Sequence, residues 1–343
     1  MAAQEKGNSV KIRRIVVSRH GGPDVLQVVE EDLPEPVSGE LRLKVLAAGV
    51  SAYDLMHRRT GRLPGTPKVP FTLGLDVVGI VDKLGAGVST VDLGDRLAAG
   101  PFETFGGYSE FICLPADQLV PVPDGVDSAE AVCVVVDYLT ADVMLHQAAN
   151  VQSGESILVQ GAAGGVGTAL LELGSLAGLE MYGTASVHNH ELVSALGATP
   201  IDYQTDDFVA RIRELTGDGV DVVFDPVGGA RQLWRSYQAL GKGGRLVWFG
   251  VAATSKYGLR VIPASLATRL VLALIPDGKR APMPPDLGKI DQRERLAALF
   301  DLLVTGEIKP IVTERVPLTE AARAHELIER GGHAGKVVLV TDT

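Results

Sequence analysis

Only two cysteines, Cys113 and Cys133, occur in the 343 residues. Two thiols cannot build a four-cysteine metal site or a disulfide framework, so a stapled secreted scaffold is excluded. No long uninterrupted apolar run is present. The most apolar late stretch, Val261 to Pro276, is broken by Arg269 and flanked by prolines, too short and too charged for a membrane span. The opening segment, MAAQEKGNSVKIRR, contains no apolar stretch of signal-peptide length. Basic residues are in the minority, 32 Lys and Arg against 42 Asp and Glu, for a net charge of -10. That balance gives no general support for nucleic-acid binding. These shortages predict a soluble cytoplasmic protein with no integral membrane segment and no nucleic-acid partner.

What is present is a globular composition rich in glycine. Apolar residues make up 46% and charged residues 22%, which excludes disorder over most of the chain, and glycine numbers 40. The length suggests two domains. Residues 1–124 read as short strands and turns, with a short helix at Asp54 to Arg59 following Ser51. From about 125 the texture changes. A largely helical stretch, Ser128 to Ala149, precedes a strand at Ser156 to Gln160, a glycine loop, and a helix at Thr168 to Leu176. Strand and helix then alternate through Glu180–Ala185, His190–Leu196, Pro200–Asp202, Phe208–Thr216, Val220–Asp225, Ala230–Leu240 and Gly244–Gly250. Strands spaced by such helices imply a parallel sheet covered on both faces, placed here at 125–300. An apolar helix at Ser265 to Leu274 leads into a proline-rich connection, and Arg293 to Val304 is a further helix. Strand, helix and strand at 311–316, 319–330 and 336–340 complete the chain. Residues 301–343 are read as a return segment that rejoins the first domain.

The strongest chemical signal is Gly161-Ala-Ala163-Gly164-Gly165-Val166-Gly167 between the apolar strand and the helix. Its useful frame is Gly161, Gly164 and Gly167, with Gly165 adding backbone freedom. Small residues let a strand turn tightly into a helix and bring backbone N–H groups near a pyrophosphate. The next strand ends at Tyr182-Gly-Thr-Ala-Ser186, and no acid occupies Thr184 to His190. An NAD-specific site often places Asp or Glu there for the ribose hydroxyls. Ser186 can instead donate to a 2′-phosphate, with His188 or His190 adding partial positive charge, so NADP(H) is favoured. The alternative reading makes these histidines ordinary surface residues. Val227, within Asp225-Pro-Val-Gly-Gly229, and Phe249 and Gly250, after Trp248, follow later strands where ligands of doubly wound sheets collect. Simple loop geometry is the competing account. Asp225 reads equally as a group that orients the backbone and as a helix cap.

This combination resembles the medium-chain dehydrogenase/reductase superfamily over roughly Lys11 to Val340. It is most similar to the zinc-free quinone oxidoreductase, or zeta-crystallin-like, branch. The resemblance rests on His20-Gly-Gly-Pro23, Gly94-Asp-Arg96, the 161–167 loop and Gly335-Lys336. It implies an α/β fold with a GroES-like, mostly β catalytic domain and a doubly wound Rossmann domain. It also implies a homodimer and NADPH-dependent reduction of a quinone or an α,β-unsaturated carbonyl. By the same resemblance, Thr140 in Asp137-Tyr-Leu-Thr-Ala141 lies near the nicotinamide, Ser186 near the adenosine phosphate, Tyr203 near the cofactor phosphates, and Lys336 faces the cofactor. Tyr203 also reads as packing against a helix, and Lys336 as a solvated strand-edge charge. His190 stands where the family has a phosphate-binding lysine.

Val50-Ser-Ala-Tyr-Asp-Leu-Met56 departs from the branch, with Ser51 and Met56 where many relatives have Asn and Tyr. The segment is closer to the subgroup of the synaptic-vesicle amine-transport membrane protein. Catalytic zinc does not fit. The matching region Gly74-Leu-Asp76 lacks the His-Glu pair of the zinc alcohol dehydrogenases, and no metal site is expected. Hydride transfer places negative charge on a carbonyl oxygen, so a polar group is needed there. Tyr53 is the first candidate and His57 a proton-relay candidate; packing and a structural hydrogen bond are the competing readings. Met56, Phe71, Leu139, Phe249 and Tyr257 are candidates for an apolar wall suited to a small hydrophobic quinone or enone. An enoyl-thioester reductase and a nonenzymatic NADP-binding interaction protein are the alternatives.

Overall fold

The computed structural model describes residues 10–63, 65–100, 105–287 and 290–341, the side chains of 255 and 256 excepted. The chain divides into two compact units, one of Met1–Val135, Glu314–Arg330 and Val337–Thr343, the other of Val136–Thr313 and Gly331–Lys336. The reading of residues 1–9 as lacking a leader lies outside the described residues.

The first unit is mostly antiparallel β. Its strands are β1 (Lys11–Val17), β2 (Leu26–Asp32), β3 (Glu40–Val50), β4 (Phe71–Thr72), β5 (Val77–Leu84), β6 (Arg96–Ala99), β7 (Phe111–Pro115) and β8 (Val120–Pro121). A three-stranded sheet runs β2-β1-β4. β3 is the hub of a seven-stranded sheet, pairing with β5 and β7. Leu41, Leu43, Val45, Val77, Val81 and Leu97 fill the core between them. Helix α1 (Ala52–Arg59) leaves the end of β3 through a capping box. The Ser51 backbone N–H donates to the Asp54 carboxylate at 2.9 Å, and the Asp54 N–H donates to Ser51 Oγ at 3.3 Å. Asp54 also accepts from the Gly74 N–H at 3.0 Å, which ties the helix start to the segment after β4. The expected strand from Tyr108 starts only at Phe111. Helix α2 (Ser128–Cys133) is capped by Asp127.

The second unit carries a parallel sheet ordered β11-β10-β9-β12-β13, where β9 is Ser156–Val159, β10 Glu180–Ala185, β11 Ala198–Asp202, β12 Val220–Asp225 and β13 Leu240–Trp248. The connections are α4 (Gly165–Leu176), α5 (His190–Ala195), α6 (Phe208–Thr216) and α7 (Ala230–Gln238). The order reverses at β9, so the crevice between β9 and β12 is the topological switch point. α3 (Leu139–Asp142) precedes β9, while α8 (Thr254–Tyr257), α9 (Val261–Ala273) and α10 (Arg293–Thr305) follow β13. β14 (Val312–Pro317), α11 (Ala321–Arg330) and β15 (Lys336–Val340) end the chain. β15 pairs with β3, and β14 lies beyond β15 in the same sheet.

Several element limits differ from expectation. The stretch read as one helix over 128–149 widens into π-helical turns at Val134–Tyr138 and Val143–Ala149 and ends at Asn150 in the left-handed region. Helix α4 starts at Gly165, three residues early, because Gly164 alone provides the extended turn and the following glycine is already helical. β13 starts earlier than Gly244 and ends at Trp248, leaving Gly250 in the loop beyond. Cys113 and Cys133 are both free thiols.

Candidate functional site

β9 enters the glycine loop at Gly161, whose φ of +68° favours glycine. Gly167 is required for a different reason: a Cβ there would lie 2.8 Å from the Ala162 carbonyl carbon and oxygen. Gly164 is different again. Its φ is −74°, and the nearest atom to an added Cβ is 3.5 Å away, an ordinary contact distance, so a methyl fits there without displacing the loop. No side chain caps α4. The N–H groups of its first turn have no acceptor within the helix and lie at the positive end of the helix dipole. A dinucleotide pyrophosphate fits this cradle.

Side chains that the motif does not include fix the loop's shape. Thr184 Oγ1 accepts from the Gly161 N–H at 3.0 Å and donates to Gln160 Oε1 at 2.9 Å, while the Thr184 carbonyl accepts from the Ala162 N–H at 2.9 Å. Gln160 Nε2 is buried with no partner among the described residues. The return segment holds the other side. The Gly335 N–H donates to the Ala163 carbonyl at 2.8 Å, and Gly335 pairs with Gly164. Lys336 is therefore not a solvated strand-edge charge. Its ammonium is buried 3.3 Å from the Asp137 carboxylate. Asp137 in turn occupies the space that a side chain on Gly165 would need. Thr140 is buried two residues beyond the turn of helix containing Asp137 and Tyr138. Leu139 is wholly enclosed, which corrects its expected place in a substrate wall: it exposes no surface to a ligand.

At the end of β10, Ser186 is buried, with its Oγ 3.2 Å from His188 Nε2. His188 Nε2 also lies 2.9 Å from the Gly332 carbonyl. A carbonyl only accepts, so this nitrogen carries the proton and donates. His190 is turned to the backbone, its Nε2 3.3 Å from the Ala185 carbonyl. Tyr203 follows β11 and is 56% exposed, so it is not packed into a helix.

Beyond β12, the buried Asp225 accepts from the N–H groups of Val227 at 2.8 Å and Gly228 at 3.0 Å, and from Ser236 Oγ at 2.7 Å. It orients the backbone and does not cap α7, whose first residue follows Gly229 with no side-chain cap. Burial raises its carboxyl above the ordinary Asp value, against the pull of those hydrogen bonds. The Phe249 N–H donates to the Asp225 carbonyl at 3.1 Å. A Cβ on Gly250 would sit 2.5 Å from the Pro226 carbonyl oxygen, so the two loops at this strand end touch through backbone. Tyr257, in α8, is half-exposed.

The first unit gathers a separate cluster. Tyr53 and His57 lie one turn apart on α1, their rings 4.4 Å between centroids, and Phe105 packs at a tilt on His57 at 4.8 Å. Phe71 lies 5.9 Å from Phe105 and 6.1 Å from His20. His57 Nδ1 is 2.7 Å from Thr66 Oγ1, while its buried Nε2 has no partner among the described residues. Burial, and then the neighbouring His20, lower its pKa to about 4, so the ring is neutral at pH 7. Tyr53 is 44% exposed, whereas Met56 and Phe71 are largely buried. Phe105, Thr66 and Gln160 were not singled out in the sequence. Among the described residues, no group of three or more His, Cys, Asp or Glu comes together to hold a metal ion. No helix among them is long and apolar enough to cross a membrane.

Residues 37–124 match the family described as alcohol dehydrogenase GroES-like domain, and residues 196–339 that described as zinc-binding dehydrogenase. The human synaptic vesicle membrane protein VAT-1 homolog is 32% identical over 96% of this chain and 86% of its own length. Rat quinone oxidoreductase is 31% identical over 96% of this chain and 98% of its own. The chain belongs to the medium-chain dehydrogenase/reductase family. Among solved structures, this dehydrogenase/reductase is similar to Escherichia coli quinone oxidoreductase complexed with NADPH. The TM-score is 0.85 at 31% identity, covering 96% of this chain and 99% of that one. The expected α/β fold, with a GroES-like domain and a Rossmann parallel sheet, is therefore the family fold, and the chain is quinone oxidoreductase-like.

Proposed function

We propose that this dehydrogenase/reductase binds NADPH and reduces a quinone, or the activated C=C bond of an α,β-unsaturated carbonyl, without zinc. The observation that carries the proposal is the first turn of α4, which no side chain caps, behind a glycine loop with room for a methyl at Gly164, together with a β10 end that offers Ser186 in place of an acid. When bound, the dinucleotide supplies the hydride. The chain's own task is to bind, orient and stabilise. The 161–167 loop holds the pyrophosphate. Ser186 donates to the 2′-phosphate, the His188 ring is held beside it by its bond to the Gly332 carbonyl, and Tyr203 lies beside the phosphates. Asp225 fixes the turn bearing Val227, and with Phe249, Gly250 and Thr140 that turn forms the nicotinamide end. On the substrate side, Thr66 donates to His57 Nδ1 and leaves the proton on Nε2. Tyr53, which is half-exposed, is the polar group offered to the carbonyl oxygen, and the enclosed His57 stands beside it as a neutral proton-relay group. Met56, Phe71 and Tyr257 supply apolar surface. The active form is a homodimer in the cytoplasm, and sedimentation of the purified chain tests its mass.

The deciding experiment is NADPH oxidation by chelator-treated protein against matched quinones, free enones and enoyl thioesters. Turnover with quinones or free enones is expected. Turnover restricted to enoyl thioesters would replace the substrate class, and tight NADPH binding without turnover would make the chain a nucleotide-binding protein. Activity that disappears on chelation and returns with zinc would refute the metal-free reading.

A further inference from the structure

We infer that Asp137 is an internal counter-ion for Lys336 that a dinucleotide phosphate replaces, so that it sets the loop's affinity for NADPH and NADH alike. This rests on the dinucleotide reading above. Both side chains are nearly enclosed, 3% exposed for Lys336 and 9% for Asp137, with nitrogen and oxygen 3.3 Å apart. Their position is fixed from two directions. The backbone before Lys336 is bonded to the glycine loop through Gly335 and Ala163. The Asp137 carboxylate packs against Gly165, the first residue of α4. The ammonium and the positive end of the helix dipole therefore share one small region, and Asp137 is an anion set against them.

Removing one partner of a buried pair leaves the charge of the other less well compensated. In Asp137→Asn that burden falls on the empty protein, because bound phosphate brings its own negative charge to the same place. A substitution that destabilises the empty form more than the loaded form must tighten binding by the difference. Asp137 acts through Lys336 and is a positioning residue. Ser186, His188 and His190 follow the neighbouring strand β10 and not the glycine loop, so the effect follows the shared pyrophosphate and is independent of the 2′-phosphate.

The test uses the full chain, with calorimetric titration of NADPH and NADH and thermal unfolding without ligand. Variants are Asp137→Asn, Lys336→Met, both together, and Asp137→Leu with Lys336→Met as an apolar replacement that keeps the core filled. Asp137→Asn is expected to melt lower when empty and to bind both dinucleotides about three- to tenfold more tightly, with a steeper salt dependence. Adding Lys336→Met removes that gain. Recovery of soluble Asp137→Asn only in the presence of dinucleotide has the same sign and supports the inference. Unchanged or weaker binding with a lowered melting temperature would show a merely structural pair, and a gain confined to NADPH would misplace Lys336; either overturns it. If Asp137→Asn does not fold at all, the apolar double variant decides: weaker binding of both dinucleotides supports the inference, and wild-type affinity overturns it. Wild-type protein that binds neither dinucleotide would instead overturn the reading beneath it.

Discussion

The loop between β9 and α4 and the cluster around His57 are shaped by different means. The loop is set by backbone: Gly161 needs its positive φ, Gly167 leaves no room for a methyl, and Thr184 and Gly335 bond the turn from either side. What it offers a ligand is the row of N–H groups at a helix end. The cluster is set by side chains, with three rings packed on one another and a single bond from His57 to Thr66. What it exposes is a half-buried phenol, with one unpartnered ring nitrogen enclosed behind it. A site made of backbone demands particular residues at fixed spacing. A site made of side chains tolerates many sets of residues, and its chemistry depends on which are present.

The sharpest way to break this contrast is to add one methyl at two places in the loop. In Gly167→Ala the new Cβ meets backbone atoms that cannot step aside, so stability falls by about 1–3 kcal/mol. Dinucleotide affinity falls with it, by about 100-fold, because the first turn of α4 is displaced. In Gly164→Ala the methyl makes only an ordinary contact with the Gly161 carbonyl oxygen, so melting is unchanged while affinity drops about tenfold. Calorimetric titration beside thermal unfolding separates the two. Normal dinucleotide binding by Gly164→Ala would show that the Gly164 side of the loop is not the ligand's side. Ser186→Asp carries the same logic to the β10 end. An acid there should weaken NADPH by about 30-fold while leaving NADH unharmed or improved, read from parallel titrations.

The side-chain cluster should respond in the opposite way. His57→Gln and Tyr53→Phe are expected to leave NADPH affinity within twofold and to lower kcat by about tenfold. Steady-state kinetics with saturating NADPH measure this. Equal losses in affinity and turnover would mean that the cluster supports the fold and not the chemistry.

This difference also decides what was legible in the sequence. The alternating strands and helices, and the glycine loop among them, could be read because apolar periodicity and glycine spacing are local. α4 starts before the sequence suggests because glycine usually breaks helices, whereas Gly165 and Gly167 are tolerated where close packing excludes a side chain. The Asp137–Lys336 pair spans 199 residues, and no local pattern points to it. Gln160 and Thr184 meet only because β9 and β10 are neighbours in the parallel sheet. Leu139 had the right chemistry for a substrate wall, but burial is a tertiary property and it is enclosed. Phe105 and Thr66 complete the His57 cluster from loops, where sequence carries little periodicity.

The smallest expected effect is a pH dependence of stability, and its sign follows from His57. An ordinary histidine titrates near 6.5, and in the folded chain this one titrates at about 4 because burial and His20 disfavour its charged form. Between those values the unfolded chain binds a proton that the folded chain refuses. The contribution is therefore complete above pH 6.5 and is lost as pH falls toward 4. Its size is on the order of 1–2 kcal/mol after allowance for relaxation around the ring. His325 works in the same direction: it is enclosed beside Arg58 and Tyr108, and burial first, then Arg58 and Arg59, hold its pKa well below the usual range. Urea unfolding at pH 7.5, 6 and 5 should accordingly show wild-type stability declining with acid, and His57→Gln should make the decline shallower without abolishing it. An identical slope in the two proteins would mean that the ring gains a proton at no cost to the fold, and His57 would then be available as a charged acid after all.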